Sequence, residues 1–187
     1  MMKNYTSYDL IEWGKPFEKS QHALPEPTLS EVLIRVTAAG LCHSDLHVQK
    51  GYMDLGEEGR LTFAERGAQL PMTFGHEIAG FVEAVGDKVK NVSIGQQVLV
   101  FPWIGCGDCL ACNEDRESDC SAMRIIGLKQ KGGFATHCLI ENEKFLVNID
   151  GLDAADVVPH ACSGITVYNA LELSLIHISE PTRPNEI

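Results

Sequence analysis

The chain has 187 residues, 44% of them apolar and 22% charged, which is ordinary for a globular protein and leaves room for one domain and part of a second. A formal net charge of −11 argues against a surface for nucleic acid or anionic lipid, and no stretch approaches the ~20 apolar residues that span a bilayer. The seven cysteines are odd in number and tightly clustered, and the N-terminus lacks an apolar signal region, so metal is expected rather than disulfides, and the cytoplasm rather than secretion.

Residues 1–150 read as β-structure joined by loops. EVLIRVTA (31–38) alternates, with Val32, Ile34 and Val36 on one face and Arg35 on the other. Residues 49–74 are polar and glycine-containing with little periodicity. They are expected to form a long surface loop with room for one helical turn, of a length that often serves as a lid or binding loop. EIAGFVEAVG (77–86), QQVLVFP (96–102) and ATHCLIENEKFLVNI (135–149) are further strand candidates, rich in β-branched and aromatic residues. After residue 150 the pattern turns helical. Asp153 is placed as an N-cap, Pro159 interrupts, and SGITVYNALELS resumes with Ile165, Tyr168, Leu171 and Glu172 at helical spacing.

CGDCLACNEDRESDC presents Cys106, Cys109, Cys112 and Cys120 with gaps of two, two and seven residues. Zinc takes four soft ligands in a tetrahedron at ~2.3 Å, and two short Cys-x-x-Cys turns plus a longer return close such a cage. Iron–sulfur clusters, redox dithiols and buried thiols also use closely spaced cysteines. The four-thiolate zinc is the favoured reading, and with no open position its role would be structural. A second group is dispersed: Cys42, His43, Ser44, Asp45 and His47 in GLCHSDLH, His76 and Glu77 in FGHE, His160 and Cys162 in HACSG. Spacing alone does not single these out from ordinary loop histidines and small core cysteines.

Together these motifs resemble the medium-chain, zinc-dependent alcohol dehydrogenases. GHEIAGFVEAVGDKV is similar to that family's zinc signature, and GLCHSDLH, the four-cysteine loop and CSGITVYNAL follow in the family's order, covering about residues 1–173. The resemblance implies a GroES-like, partly open β-barrel over residues 1–150 with a zinc lobe near 101–122. Residues 151–173 would be connecting helices leading into a truncated Rossmann coenzyme domain. By resemblance, Cys42, His76 and Cys162 are ligands of a catalytic zinc with one open position, and Cys106, Cys109, Cys112 and Cys120 hold a structural zinc. The chain would thus hold two Zn2+. Glu77 resembles an acid close to the catalytic metal. Asp45 resembles the carboxylate that orients the ligand histidine. Ser44 and His47 resemble a proton relay, His43 a residue facing the coenzyme pyrophosphate, and Trp103 a wall of the substrate pocket.

The implied chemistry is NAD- or NADP-linked oxidation of a small alcohol, or reduction of a carbonyl. Hydride leaves readily only once the hydroxyl proton is gone, and a Lewis-acidic metal lowers the pKa of a bound oxygen. The family resemblance also implies a homo-oligomer for the full-length parent. None of the seventeen glycines forms a Gly-x-Gly-x-x-Gly turn, so this chain alone is expected to be inactive. Residues 174–187, with two prolines and no continuing period, are expected to be a non-native tail. The competing class is a non-enzymatic zinc-binding module with no turnover.

Overall fold

The structure, a computed structural model, describes residues 3–175. In chain order its strands are β1 (Asn4–Leu10), β2 (Glu18–Ala23), β3 (Val32–Gly40), β4 (Tyr52–Asp54), β5 (Arg60–Thr62), β6 (Met72–Thr73), β7 (Glu77–Val85), β8 (Gln97–Val100), β9 (Trp103–Ile104), β10 (Arg124–Ile125), β11 (His137–Ile140) and β12 (Leu146–Asn148). The α-helices are α1 (His43–Lys50), α2 (Leu110–Asn113), α3 (Ala154–Val157) and α4 (Ser163–Leu175).

The core is an antiparallel five-stranded sheet in the order β11–β3–β7–β8–β12. Alternation in β3 and β7 turns Val32, Ile34, Ile78 and Val82 inward against Val98, Val100, Cys138, Ile140 and Phe145, all essentially without solvent contact. Burying each such side chain contributes roughly 1.5–3 kcal/mol. The β3–β7 register, which shifts between Leu33 and Ile34 and again between Val36 and Ala38, ends with Gly40 opposite Glu77. Strand pairing therefore delivers the residues just beyond β3, starting with Cys42, to the place where His76 enters β7.

A smaller sheet, β2–β1–β6, stands beside the core. Its buried face carries Tyr5, Ser7 and Asp9, so it shows no apolar alternation. Asp9 is satisfied by the Thr73 hydroxyl at 2.5 Å and by His22 Nε2 at 2.9 Å. The strands remain in separate open sheets and do not close into a barrel.

Two sequence expectations are corrected. Within 49–74, β4 and β5 pair as a hairpin with Asp54 opposite Arg60, and the following turn buries Phe63 and Ala68. Phe63 and Ala68, with Met53, Leu70, Met72 and Phe74 packed in the same apolar cluster, anchor the segment. The 135–149 candidate is two strands, because Asn142 caps a 3-10 turn at Glu143–Phe145 by accepting from Lys144 N. Pro159 interrupts the helical region as expected: α3 ends at Val157, Pro159 sits in a 3-10 turn over Val158–Ala161, where its missing N–H costs nothing, and α4 resumes at Ser163. Asp153 does cap α3, accepting from Ala155 N at 2.8 Å.

Val158 and Ala161 pack on Ala79, Leu99 and Ile149, docking this turn on the sheet and carrying Cys162 to it. The helix α4 runs to Leu175, and the rest of the expected non-native tail lies outside the described residues. No helix among the described residues is long and apolar enough to cross a membrane.

Candidate functional site

The four-cysteine lobe hangs on a two-strand stem. Pairing of β9 with β10 sets Trp103 against Ile125 and Ile104 against Arg124, pinning both ends of the loop. The four sulfurs lie within 4.8 Å of one another. Cys109 and Cys112 are 3.5 Å apart and Cys106 and Cys112 3.9 Å apart. A tetrahedron with ~2.3 Å metal–sulfur bonds spaces its sulfurs ~3.8 Å apart, so the donor set fits zinc. The Cys106 N–H donates to Cys120 Sγ at 3.4 Å and pulls that thiol's pKa down to about 7, giving thiolate near neutral pH. The acidic residues of the loop are partly neutralised. Arg116 bridges Glu114 and Asp119 at 2.6 Å each, and Lys144 pairs with Glu117.

The second cluster is assembled from three distant segments. One ligand atom each from Cys42, His76, Glu77 and Cys162 lies within 4.8 Å of the others, and the sulfurs of Cys42 and Cys162 are 3.9 Å apart. That separation again suits two thiolates on one zinc. Asp45 organises the group from beneath. Its Oδ2 accepts from Cys42 N at 2.9 Å, capping the start of α1, and its Oδ1 lies 3.3 Å from His76 Nδ1. One carboxylate thus fixes the thiol-bearing turn and the ring, leaving His76 Nε2 free to ligate.

Burial opposes charge on His76, but Asp45 and Cys162 outweigh it and push its pKa up to about 11. Two thiols and two buried carboxylates around one imidazole form a donor set that calls for a cation at its centre. Burial also raises the pKa of Glu77, moderated by His76 and by the Ser163 N–H at the start of α4. Glu77 fits only because residue 40 is glycine. A Cβ there would stand 2.0 Å from its Oε2.

Beside this cluster opens a cavity of about 230 Å³. Ser44, His76, Cys162 and Trp103 line it, with Phe63 and Arg66 from the 49–74 segment. Ser44 Oγ is 3.7 Å from Cys42 Sγ. His47 is not in the cavity wall: its ring stacks on His43 at 4.6 Å, on the same face of α1. One wall, Ile125–Leu128, belongs to a segment fused to the strand end carrying His76. The Gly132, Gly133 and Phe134 amides donate to Thr73, Gly75 and Phe74 carbonyls at 2.8–2.9 Å, and a Cβ on Gly132 would meet Gly75 O at 2.2 Å. Arg66, Phe63, Gly40 and the Ser163 amide had no signal in local periodicity. Only the length of the 49–74 segment pointed to that stretch of chain.

Residues 28–151 match the alcohol dehydrogenase GroES-like domain family. An NAD-dependent alcohol dehydrogenase of Sulfurisphaera tokodaii is 40% identical over 163 residues, covering 87% of this chain and 46% of that protein. The crystal structure of D-arabinose dehydrogenase from Sulfolobus solfataricus superposes with a TM-score of 0.82 at 30% identity, over 98% of this chain and 52% of that one. A cobalt- and zinc-bound thermostable alcohol dehydrogenase from Pyrobaculum aerophilum does so with a TM-score of 0.78 at 25% identity, over 91% and 49%. The chain spans about half the length of the curated relatives it matches. It belongs to the zinc-dependent medium-chain alcohol dehydrogenase family, whose GroES-like domain it carries.

Proposed function

We propose that this chain supplies the metal-binding and acid–base half of an NAD(P)-linked alcohol dehydrogenase acting on small alcohols or carbonyls. The observation that carries the reading is the convergence of Cys42, His76 and Cys162 at zinc spacing on the edge of a small cavity. Zinc held by those three residues would act as a Lewis acid toward the substrate oxygen. A second zinc would sit in the lobe of Cys106, Cys109, Cys112 and Cys120, ordering a loop too polar to fold alone.

On this reading the remaining residues take the following roles. Asp45 holds the His76 ring and its tautomer. Ser44, exposed at the cavity, would accept the hydroxyl proton as it passes its own on, and His47 would take that proton onward. Glu77 balances charge behind the ligands. Trp103, which lines the same cavity as Ser44, limits the substrate. His43, on the outer turn of α1, faces the coenzyme. Residues 1–150 form the catalytic domain, and 151–173 lead to the coenzyme domain of the whole protein, which we propose is a cytoplasmic homo-oligomer.

With no Gly-x-Gly-x-x-Gly turn in its sequence, the chain alone should reduce NAD negligibly. Metal analysis of the purified, zinc-loaded chain tests the reading. Two zincs are expected, one lost in C162A and the other retained. A single zinc confined to the four-cysteine lobe would replace the proposal with a non-enzymatic zinc-binding module.

A further inference from the structure

Arg66 is an exposed side chain that borders the cavity. Of the five arginines among the described residues, four are engaged. Arg35 meets Glu83 and the Phe81 ring, Arg60 lies over Tyr52, Arg116 bridges Glu114 and Asp119, and Arg124 pairs with Glu141. Arg66 makes no ion pair, side-chain hydrogen bond or ring contact among the described residues, although the chain carries a net charge of −11. The acids near it are committed elsewhere. Asp45, the one carboxylate in the cavity wall, uses both oxygens on Cys42 N and His76, and Glu65 is bound to the Thr62 hydroxyl.

Nor is Arg66 placed by accident of a loose loop. Its N–H donates to Phe63 O at 3.1 Å, and Ala68 N donates to the same oxygen at 3.0 Å. Gly67 takes a positive φ of 87° to close the turn. Buried Phe63 and Ala68 anchor it on both sides, and Phe63 N donates to Gly51 O at 3.0 Å. The remaining wall is mainly apolar, formed by Val48, Met53, Phe63, Ile126 and Leu128. A guanidinium with five donors and no internal acceptor, at the edge of a largely apolar cavity, is arranged to receive an oxyanion.

We propose that Arg66 determines the substrate class: an alcohol bearing a carboxylate or phosphate, its hydroxyl at Cys42, His76 and Cys162 and its oxyanion on Arg66. This rests on the function proposed above, which places the reacting hydroxyl at those three ligands. A volume of about 230 Å³ restricts the substrate to a few carbons, below the ~300–1,000 Å³ of pockets for drug-sized ligands.

The test is calorimetric titration of the zinc-loaded chain with 1,3-propanediol, 3-hydroxypropionate, glycerol 3-phosphate and propionate. One of the two anionic alcohols should bind at least about tenfold more tightly than the diol, its identity separating carboxylate from phosphate recognition. R66Q should abolish that preference with metal content and circular dichroism unchanged, and R66K should keep part of it. Equal binding of diol and anions, no binding by any probe, or a preference that survives R66Q because the anion sits on the metal would each overturn the proposal. Propionate and C42A separate the two readings. An Arg66-dependent preference that gains nothing from the hydroxyl and is indifferent to C42A sinks the placement of the alcohol, and this proposal with it. Binding that needs Cys42 but ignores charge sinks only the role of Arg66.

Discussion

Cys106 and Cys120 are 14 positions apart, whereas Cys42 and Cys162 are 120 apart, yet each cluster brings sulfurs to 3.9 Å. The local cluster sits in a polar loop held by a two-residue strand pair at its stem and by the Glu117–Lys144 ion pair. The dispersed cluster is delivered by the main sheet, by a capped helix start and by a turn docked on the core. Closing a short loop loses little chain entropy, so metal can fold the first cluster. In the second the order reverses: packing makes the site, and the metal reads it. One cluster is closed by four sulfurs; the other faces a cavity.

The largest effect that could break this contrast is removal of a lobe sulfur. Structural zinc contributes on the order of 10–16 kcal/mol of apparent binding free energy, so C112A should lose one metal and expose residues 101–122 to protease while the sheet persists. C42A should lose the other metal with no new cleavage in the lobe. Limited proteolysis with metal analysis decides, and global unfolding in C112A would show the lobe to be part of the core.

Next is G40A, which sets a Cβ 2.0 Å from Glu77 Oε2. It should cost about 1–3 kcal/mol by thermal unfolding and weaken only the dispersed metal site. D45N should follow, lowering affinity at that site by about 10–100-fold in a chelator competition and leaving the lobe unchanged.

The smallest effect is a control outside both clusters. Burial tends to raise the Asp9 pKa, but hydrogen bonds from Thr73 and His22 outweigh it and leave it lowered. A carboxyl lowered on folding adds stability above its unfolded pKa of ~3.9, and that stability is lost as pH falls through the lowered value. D9N should flatten acid unfolding over that window by roughly 0.5–1.5 kcal/mol, with both metals retained.

What could be read from sequence follows the same division. The lobe was legible because its ligands are neighbours in the chain. Strands β3, β7 and β8 were legible because their inward positions are Val and Ile. Strand β1 was not, since Tyr5, Ser7 and Asp9 occupy its buried face, and only partners across the fold, Thr73 and His22, make the buried Asp9 tolerable. Resemblance grouped Cys42, His76 and Cys162, and their separate spacings could not. The hairpin in 49–74 was hidden because its strands, Tyr52–Asp54 and Arg60–Thr62, are three residues each, too short to set a period. Arg66 was hidden because what distinguishes it is the lack of a partner, a property only three dimensions reveal.

The seam of glycines behind the cavity sets what can be altered there. Where Gly132 lies on Gly75, main chain touches main chain, and no side chain can be inserted to push Ile126 or Leu128 aside. The opposite side, from Met53 to Arg66, is held by a hairpin and two buried side chains and can be exchanged residue by residue. Any attempt to retune what this protein accepts is therefore one-sided, an edit to a removable panel facing a fixed wall.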